Sequence, residues 1–227
     1  MVLKAIFFDI DDTLFDSTQL TIMARRNSIR AMIDAGLPVD EEKALMMLQK
    51  IIKRLGPNYP KHYDELLKEL GIGWNPKIIA AGVVAYEHTK MGFLKPLPKV
   101  IPTLLKLKKR GYRLGVISNG LAVKQWEKLV SLGLHHLFNV VVTSEEVGYE
   151  KPDRRIFQIA VEKLNLKPEE CVMVGDRIDV DIKGAKSLGM KTIRIKRGKH
   201  KAETPKNDKE KPDYEIKKFE ELLEILP

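Results

Sequence analysis

Val2-Leu3-Lys4-Ala5-Ile6-Phe7-Phe8 runs directly into Asp9-Ile10-Asp11-Asp12-Thr13-Leu14. The first stretch reads as a buried strand over residues 2–9, because a short apolar run rich in Ile and Phe fits the covered face of a sheet. Its end delivers two carboxylates, Asp9 and Asp11, two residues apart. In open α/β sheets, ligands bind outside the carboxyl ends of the strands. A charge placed there without a partner is costly to bury. A metal ion with carboxylate chemistry accounts for the pattern. The plainer alternative is three aspartates making a polar loop and a helix cap.

Three further apolar runs end in polar groups. Arg113-Leu114-Gly115-Val116-Ile117 leads into Ser118-Asn119-Gly120. Val140-Val141-Val142 precedes Glu150-Lys151-Pro152-Asp153, and Cys171-Val172-Met173-Val174 leads into Gly175-Asp176, with Asp181 five residues on. Each has a bland reading when taken alone. Ser-Asn is a common strand-end turn. Asp176 suits a helix N-cap and Asp181 the first turn of a helix. A lysine such as Lys151 is ordinarily a surface residue, and only its place in Lys-Pro-Asp lifts it.

Taken in order, the four stretches resemble the signatures of the haloacid dehalogenase superfamily, and they span Asp9 to Asp181. The resemblance implies a phosphatase of that superfamily, with Asp9 as nucleophile and an aspartyl-phosphate intermediate. Asp11 becomes the general acid and base. Dehalogenases of the superfamily have no acid at that position, so Asp11 points to phosphoryl transfer. A Mg²⁺ cofactor is implied, since a carboxylate attacking a phosphate needs positive charge and Mg²⁺ takes oxygen ligands. Its implied ligands are Asp9, Asp176 and the backbone carbonyl of Asp11. Ser118 and the amides of Asn119 and Gly120 are expected to hold phosphate oxygens. Lys151 neutralises phosphate and nucleophile, Thr13 steadies the turn, and Asp181 orients metal-bound water or Lys151.

The segment between the first two signatures is helical. Four helices are predicted at Leu20–Ala35, Pro38–Leu55 with Asp40 as N-cap, Lys61–Leu70 and Pro76–Lys90. From Pro96 the pattern alternates. Helices are expected at Val100–Arg110, Lys124–Leu132, Arg154–Leu164, Ile182–Leu188 and Phe219–Leu226. Strands are expected at 113–118, 139–143, 171–175, Thr192–Ile195 and Tyr214–Ile216. Lys196–Pro212 reads as a mobile surface loop. The prediction is an α/β protein: a Rossmann-like, doubly wound parallel sheet over 1–17 and 92–227, with an inserted four-helix cap at 18–91. A cap of that size favours compact substrates. Arg25, Arg26, Tyr59, Lys90 and Lys95 are candidate contacts for them.

The 227 residues can bury a sizeable core. A single cysteine, Cys171, excludes an intrachain disulfide and reads as a small core residue. The formal charge of +9 invites a nucleic-acid partner. However, the basic residues mix with Glu along helices, and no aromatic-rich basic platform is present. Lys4 is followed at once by the strand, without a signal-peptide pattern. No apolar stretch reaches the ~20 residues that cross a bilayer. Cytoplasmic location and no membrane or nucleic-acid partner are therefore expected.

Asp12 and Asp16 read as capping or solvent-facing residues, and the five histidines as surface residues. Arg177 is expected to pair with Asp179. The expected substrate is a small phosphate ester such as glyceraldehyde 3-phosphate, another triose or sugar phosphate, or phosphoglycolate. A phosphomutase, a nucleoside monophosphate phosphatase, and a non-enzymatic anion- or nucleic-acid-binding protein are the alternatives. Monomer and homodimer are both open.

Overall fold

A computed structural model describes residues 2–226. It contains two compact units, one formed by the chain up to Thr18 and from Leu94 onward, the other by Gln19–Phe93.

The first unit is built on six parallel strands, β1 (Ala5–Phe8), β2 (Arg113–Ser118), β3 (Val140–Thr143), β4 (Cys171–Gly175), β5 (Lys191–Ile195) and β6 (Tyr214–Ile216). Their spatial order is β3-β2-β1-β4-β5-β6. β1 is thus central, and the strand order reverses beside it, which is where an open α/β sheet forms its ligand crevice. Phe8 lies level with Val116 of β2 and Val174 of β4. Asp9 continues the ladder by donating its amide to the Val174 carbonyl at 2.9 Å.

All of β1 is buried, so its apolar residues do not alternate with polar ones. Phe7 packs with Ile117, Val142, Ile156, Phe157 and Met173. Phe8, on the other face, meets the rings of Phe138 and Phe219. The helices of this unit are α5 (Val100–Lys109), α6 (Ala122–Ser131), α7 (Ser144–Val147), α8 (Arg154–Glu162), α9 (Lys183–Leu188) and α10 (Leu222–Ile225). Buried Cys171 belongs to the same core as Phe7, and burial pushes its thiol up to about 12.

The second unit holds most of α1 (Ser17–Asp34) together with α2 (Glu41–Leu55), α3 (His62–Glu69) and α4 (Pro76–Phe93). Asp40 caps α2 by accepting from the Lys43 amide at 3.0 Å. Ala44, Leu45, Leu48 and Ile51 form the inward stripe of α2 and join Ile29, Met32, Leu66, Leu67 and Ile78 in one core.

Local differences from the sequence reading have identifiable causes. The first strand is shorter than predicted, because only Ala5–Phe8 finds two paired neighbours. The short helix α7 was not expected; Thr143 and Glu146 start it with a reciprocal capping box. The helix predicted from Ile182 is preceded by a wide helical turn over Ile178–Ile182. The closing helix is a tight turn at Phe219–Glu221 followed by α10.

Lys196–Pro212 is anchored, contrary to the expected mobile loop. Arg194 is fully buried, and its guanidinium donates to the carbonyls of His200 and Glu203, both at 2.8 Å. It also reaches the Asp176 carbonyl at 3.3 Å and Glu215 at 3.1 Å. Arg194→Met would leave three carbonyls without this donor. It is expected to lower unfolding stability by about 3 kcal/mol and to speed proteolysis within 196–212. Urea unfolding and limited proteolysis check this, and an unchanged midpoint would contradict the anchoring role.

Candidate active site

Four of the sequence-predicted residues converge beyond the ends of β1 and β4. Lys151 lies buried at the centre. Its ammonium donates to Asp9 Oδ1 at 2.7 Å, Asp181 Oδ1 at 2.6 Å and the Ile117 carbonyl at 2.8 Å. These three acceptors match the three N–H bonds of a lysine. Burial alone would pull this ammonium down. The facing carboxylates of Asp181 and Asp9 outweigh it and hold the group above its usual value.

Asp9, Asp176 and Asp181 bring carboxylate oxygens within 4.8 Å of one another. The wide turn at Ile178–Ile182 carries Asp181 back over the end of β4. There the Arg177 amide donates to Asp181 Oδ2 at 3.1 Å. A Cβ on Gly175 would overlap the Asp181 carboxylate, so the glycine of Gly175-Asp176 makes room for it. Burial, then the charges of Asp181 and Asp9, push the Asp176 carboxyl up to about 9. Burial likewise raises Asp181 against the pull of Lys151.

The cluster suits a hard cation. Among the described residues none donates a hydrogen bond to the Asp176 carboxylate, although Asp176 is only 3% exposed. Lys151 pairs with Asp9 and Asp181, and among the described residues no cation is paired with Asp176. An oxygen-lined site with excess negative charge is what a hard divalent ion requires.

Asp11 turns elsewhere. Both oxygens of its carboxylate accept from Lys128 of α6 at 2.8 Å, so this side chain is not part of the three-carboxylate cluster. Burial pushes the Asp11 carboxyl up; Lys128 opposes that and Asp9 adds to it. Thr13 is fully buried, and its hydroxyl has no hydrogen-bond partner among the described residues.

The second signature is held by contacts with α6, the Lys151 segment and α7. Ser118 Oγ donates to Gln125 Oε1 at 3.2 Å. The Asn119 side chain bridges the main chain of Lys151, accepting from its amide at 2.7 Å and donating to its carbonyl at 2.9 Å. Asn119 therefore braces the segment carrying Lys151. The Gly120 amide donates to Ser144 Oγ at 2.9 Å. The helix α7 that carries Ser144 had no counterpart in the sequence reading.

Other expectations divide similarly. Arg177 pairs with Asp179 at 2.8 Å. Asp12 does not face solvent: it is buried and caps α1, accepting from the Thr18 amide at 2.9 Å and hydroxyl at 2.5 Å. Asp16 lies 3.8 Å from Arg197. Not all histidines are free surface groups. His200 Nδ1 meets Glu203 at 2.6 Å, His62 Nε2 bonds the Gly56 carbonyl at 2.9 Å, and His135 Nδ1 is buried without a hydrogen-bond partner among the described residues. In the helical unit, Arg26 pairs with Glu41 and Glu42, and Lys90 with Glu87.

Lys128, Gln125 and Arg194 had no signal in the sequence. Each is a polar residue inside an ordinary helical or strand pattern, and its partners are distant along the chain.

The chain is similar to known proteins over most of its length. A family model of haloacid dehalogenase-like hydrolases matches residues 3–189. A glyceraldehyde 3-phosphate phosphatase of Methanopyrus kandleri is 52% identical, covering 99% of this chain and 97% of that protein. One of Methanocaldococcus jannaschii is 48% identical over the same shares. The crystal structure of a HAD phosphatase from Thermococcus onnurineus superposes with a TM-score of 0.70 at 29% identity, covering 99% and 98% of the two chains.

Proposed function

The chain belongs to the haloacid dehalogenase-like hydrolases, and from that premise we propose a Mg²⁺-dependent phosphatase that hydrolyses glyceraldehyde 3-phosphate or a closely similar small phosphate ester. The observation that carries the reaction class is the buried Asp9 carboxylate, held 2.7 Å from the Lys151 ammonium beside Asp176 and Asp181. The substrate rests on the relatives named glyceraldehyde 3-phosphate phosphatase, at 52% and 48% identity over nearly the whole chain.

Asp9 attacks phosphorus and becomes the aspartyl-phosphate. Lys151 offsets the charge that the nucleophile and phosphoryl oxygens bring together. Asp11 gives a proton to the departing alkoxide oxygen, then takes one from the water that attacks the phosphoenzyme. Asn119 keeps the Lys151 segment in register through its two main-chain hydrogen bonds. Asp9 and Asp176 would hold the Mg²⁺, with Asp181 in the same oxygen cluster. The ion supplies positive charge against the phosphate and the carboxylates. No helix among the described residues is long and apolar enough to cross a membrane.

Phosphate release from a panel of small esters, with Mg²⁺ and with a chelator, tests the reading. Glyceraldehyde 3-phosphate should be hydrolysed best, and the chelator should stop turnover. Turnover unaffected by the chelator would contradict it.

The raised Asp176 also sets a pH dependence. Without cation this group keeps its proton up to about pH 9, and a ligand carboxylate must give it up. Mg²⁺ affinity should therefore climb as pH rises through the neutral range, by up to about tenfold per unit. Titration calorimetry at pH 6.5 and 8.5 checks this; equal affinities would contradict it.

A further inference from the structure

The strongest unassigned arrangement is the chain of polar contacts that ends on Asp11. Lys128 and Gln125 lie one turn apart on α6, and Lys128 is 117 residues from Asp11. The ammonium contacts both oxygens of Asp11, each at 2.8 Å, and reaches Gln125 Oε1 at 3.2 Å. A lysine has three N–H donors, and these contacts use them all. The phosphate of a substrate therefore finds no free donor on Lys128.

Gln125 is itself fixed. It is buried and accepts from Ser118 Oγ at 3.2 Å, and a Cβ on Gly120 would overlap its amide nitrogen. The contacts thus run from the end of β2 through Ser118, Gln125 and Lys128 to Asp11. Among the described residues, Lys128 is the side chain that hydrogen-bonds the Asp11 carboxylate. The orientation of that carboxylate depends on this one ammonium.

We infer that Lys128 is a positioning residue for the acid–base step: it aims the Asp11 carboxyl, and Gln125 aims Lys128. The inference rests on the proposed role of Asp11. It adds a residue from α6 to a reaction whose nucleophile and acid follow β1. Holding a proton donor within hydrogen-bond reach of the leaving oxygen is what general acid catalysis demands.

The test exploits the leaving group. The alkoxide of glyceraldehyde 3-phosphate needs a proton to depart, whereas p-nitrophenolate does not. Single-turnover release of glyceraldehyde and of p-nitrophenolate would be compared for wild type, Lys128→Met and Asp11→Asn. Methionine keeps the apolar stem of Lys128, whose ammonium lies 6.0 Å from the Phe15 ring. Lys128→Met should slow glyceraldehyde release about tenfold or more, and p-nitrophenolate release less than about threefold. Asp11→Asn should show the same split.

Lys128→Arg, which can meet both carboxylate oxygens, should recover most of the loss. If the methionine variant does not fold, Lys128→Gln takes its place in the same comparison, and a split between the esters like that of Asp11→Asn supports the proposal. Equal losses on both esters, with Asp11→Asn still split, would overturn the positioning role. Absence of a split in Asp11→Asn would overturn the acid reading of Asp11, and the role of Lys128 with it.

Discussion

Asp9→Asn should abolish phosphate release while leaving the protein folded. An amide oxygen is a far poorer nucleophile than a carboxylate, and removing the attacking group of a covalent mechanism lowers turnover by about 10⁴-fold or more. The fold should tolerate the change because Lys151 keeps Asp181 and the Ile117 carbonyl as acceptors. The asparagine oxygen can still accept from it. One negative charge also leaves the cluster that pushes Asp176 up. Without cation, the variant should therefore unfold within about 1 kcal/mol of wild type or above it. Steady-state phosphate release and urea unfolding in chelator measure both halves. Turnover near the wild-type rate would end the nucleophile assignment, and a large loss of stability would contradict the packing account.

Lys151→Met should be damaging in both respects. The ammonium is buried and carries three hydrogen bonds. Its removal leaves Asp9 and Asp181 facing each other without the ammonium between them. Breaking a buried ion pair from one side costs about 3–5 kcal/mol, and turnover should fall with it because the nucleophile loses its counter-charge. Adding Asp9→Asn should return part of that stability, since without Lys151 no ammonium offsets the repulsion between Asp9 and Asp181. Urea midpoints for the two single variants and the double variant measure this coupling. Additive losses would mean that Lys151 and Asp9 do not act on one another.

Much of this was legible in the sequence because it is written locally. β1, β2 and β4 announce themselves as apolar runs that end abruptly in Asp9, Ser118 and Asp176. The alternation with helices after Pro96 implies a parallel sheet. The four-helix segment shows in stripes such as Ala44, Leu48 and Ile51, and in the caps at Asp40 and Gly56.

What was not legible depends on partners far along the chain. Lys128 reads as one more helix lysine until α6 brings it to Asp11. Arg194 reads as one more strand residue until His200 and Glu203 meet it. Asp12 was half legible: its capping role follows from residue type, but its burial follows from the turn it occupies, with φ at +53°. The wide turn before α9 has no local signature, because it exists to return Asp181 to Lys151 rather than to satisfy a propensity. The bond from the Gly120 amide to Ser144 was not legible for the same reason, since Ser144 follows a neighbouring strand.

The measurement that reaches the central claim most directly is a search for the phosphorylated carboxylate itself. Enzyme turning over glyceraldehyde 3-phosphate with Mg²⁺ would be quenched over a millisecond series, for wild type and for Asp11→Asn, in which breakdown should be slowed. Borohydride would then reduce any acyl phosphate to an alcohol, and the peptide containing Asp9 would be sequenced by mass spectrometry. The account predicts a homoserine at position 9 that appears and decays with turnover in the wild type and persists in Asp11→Asn. Ongoing phosphate release with position 9 unmodified in both proteins at every time point would contradict it.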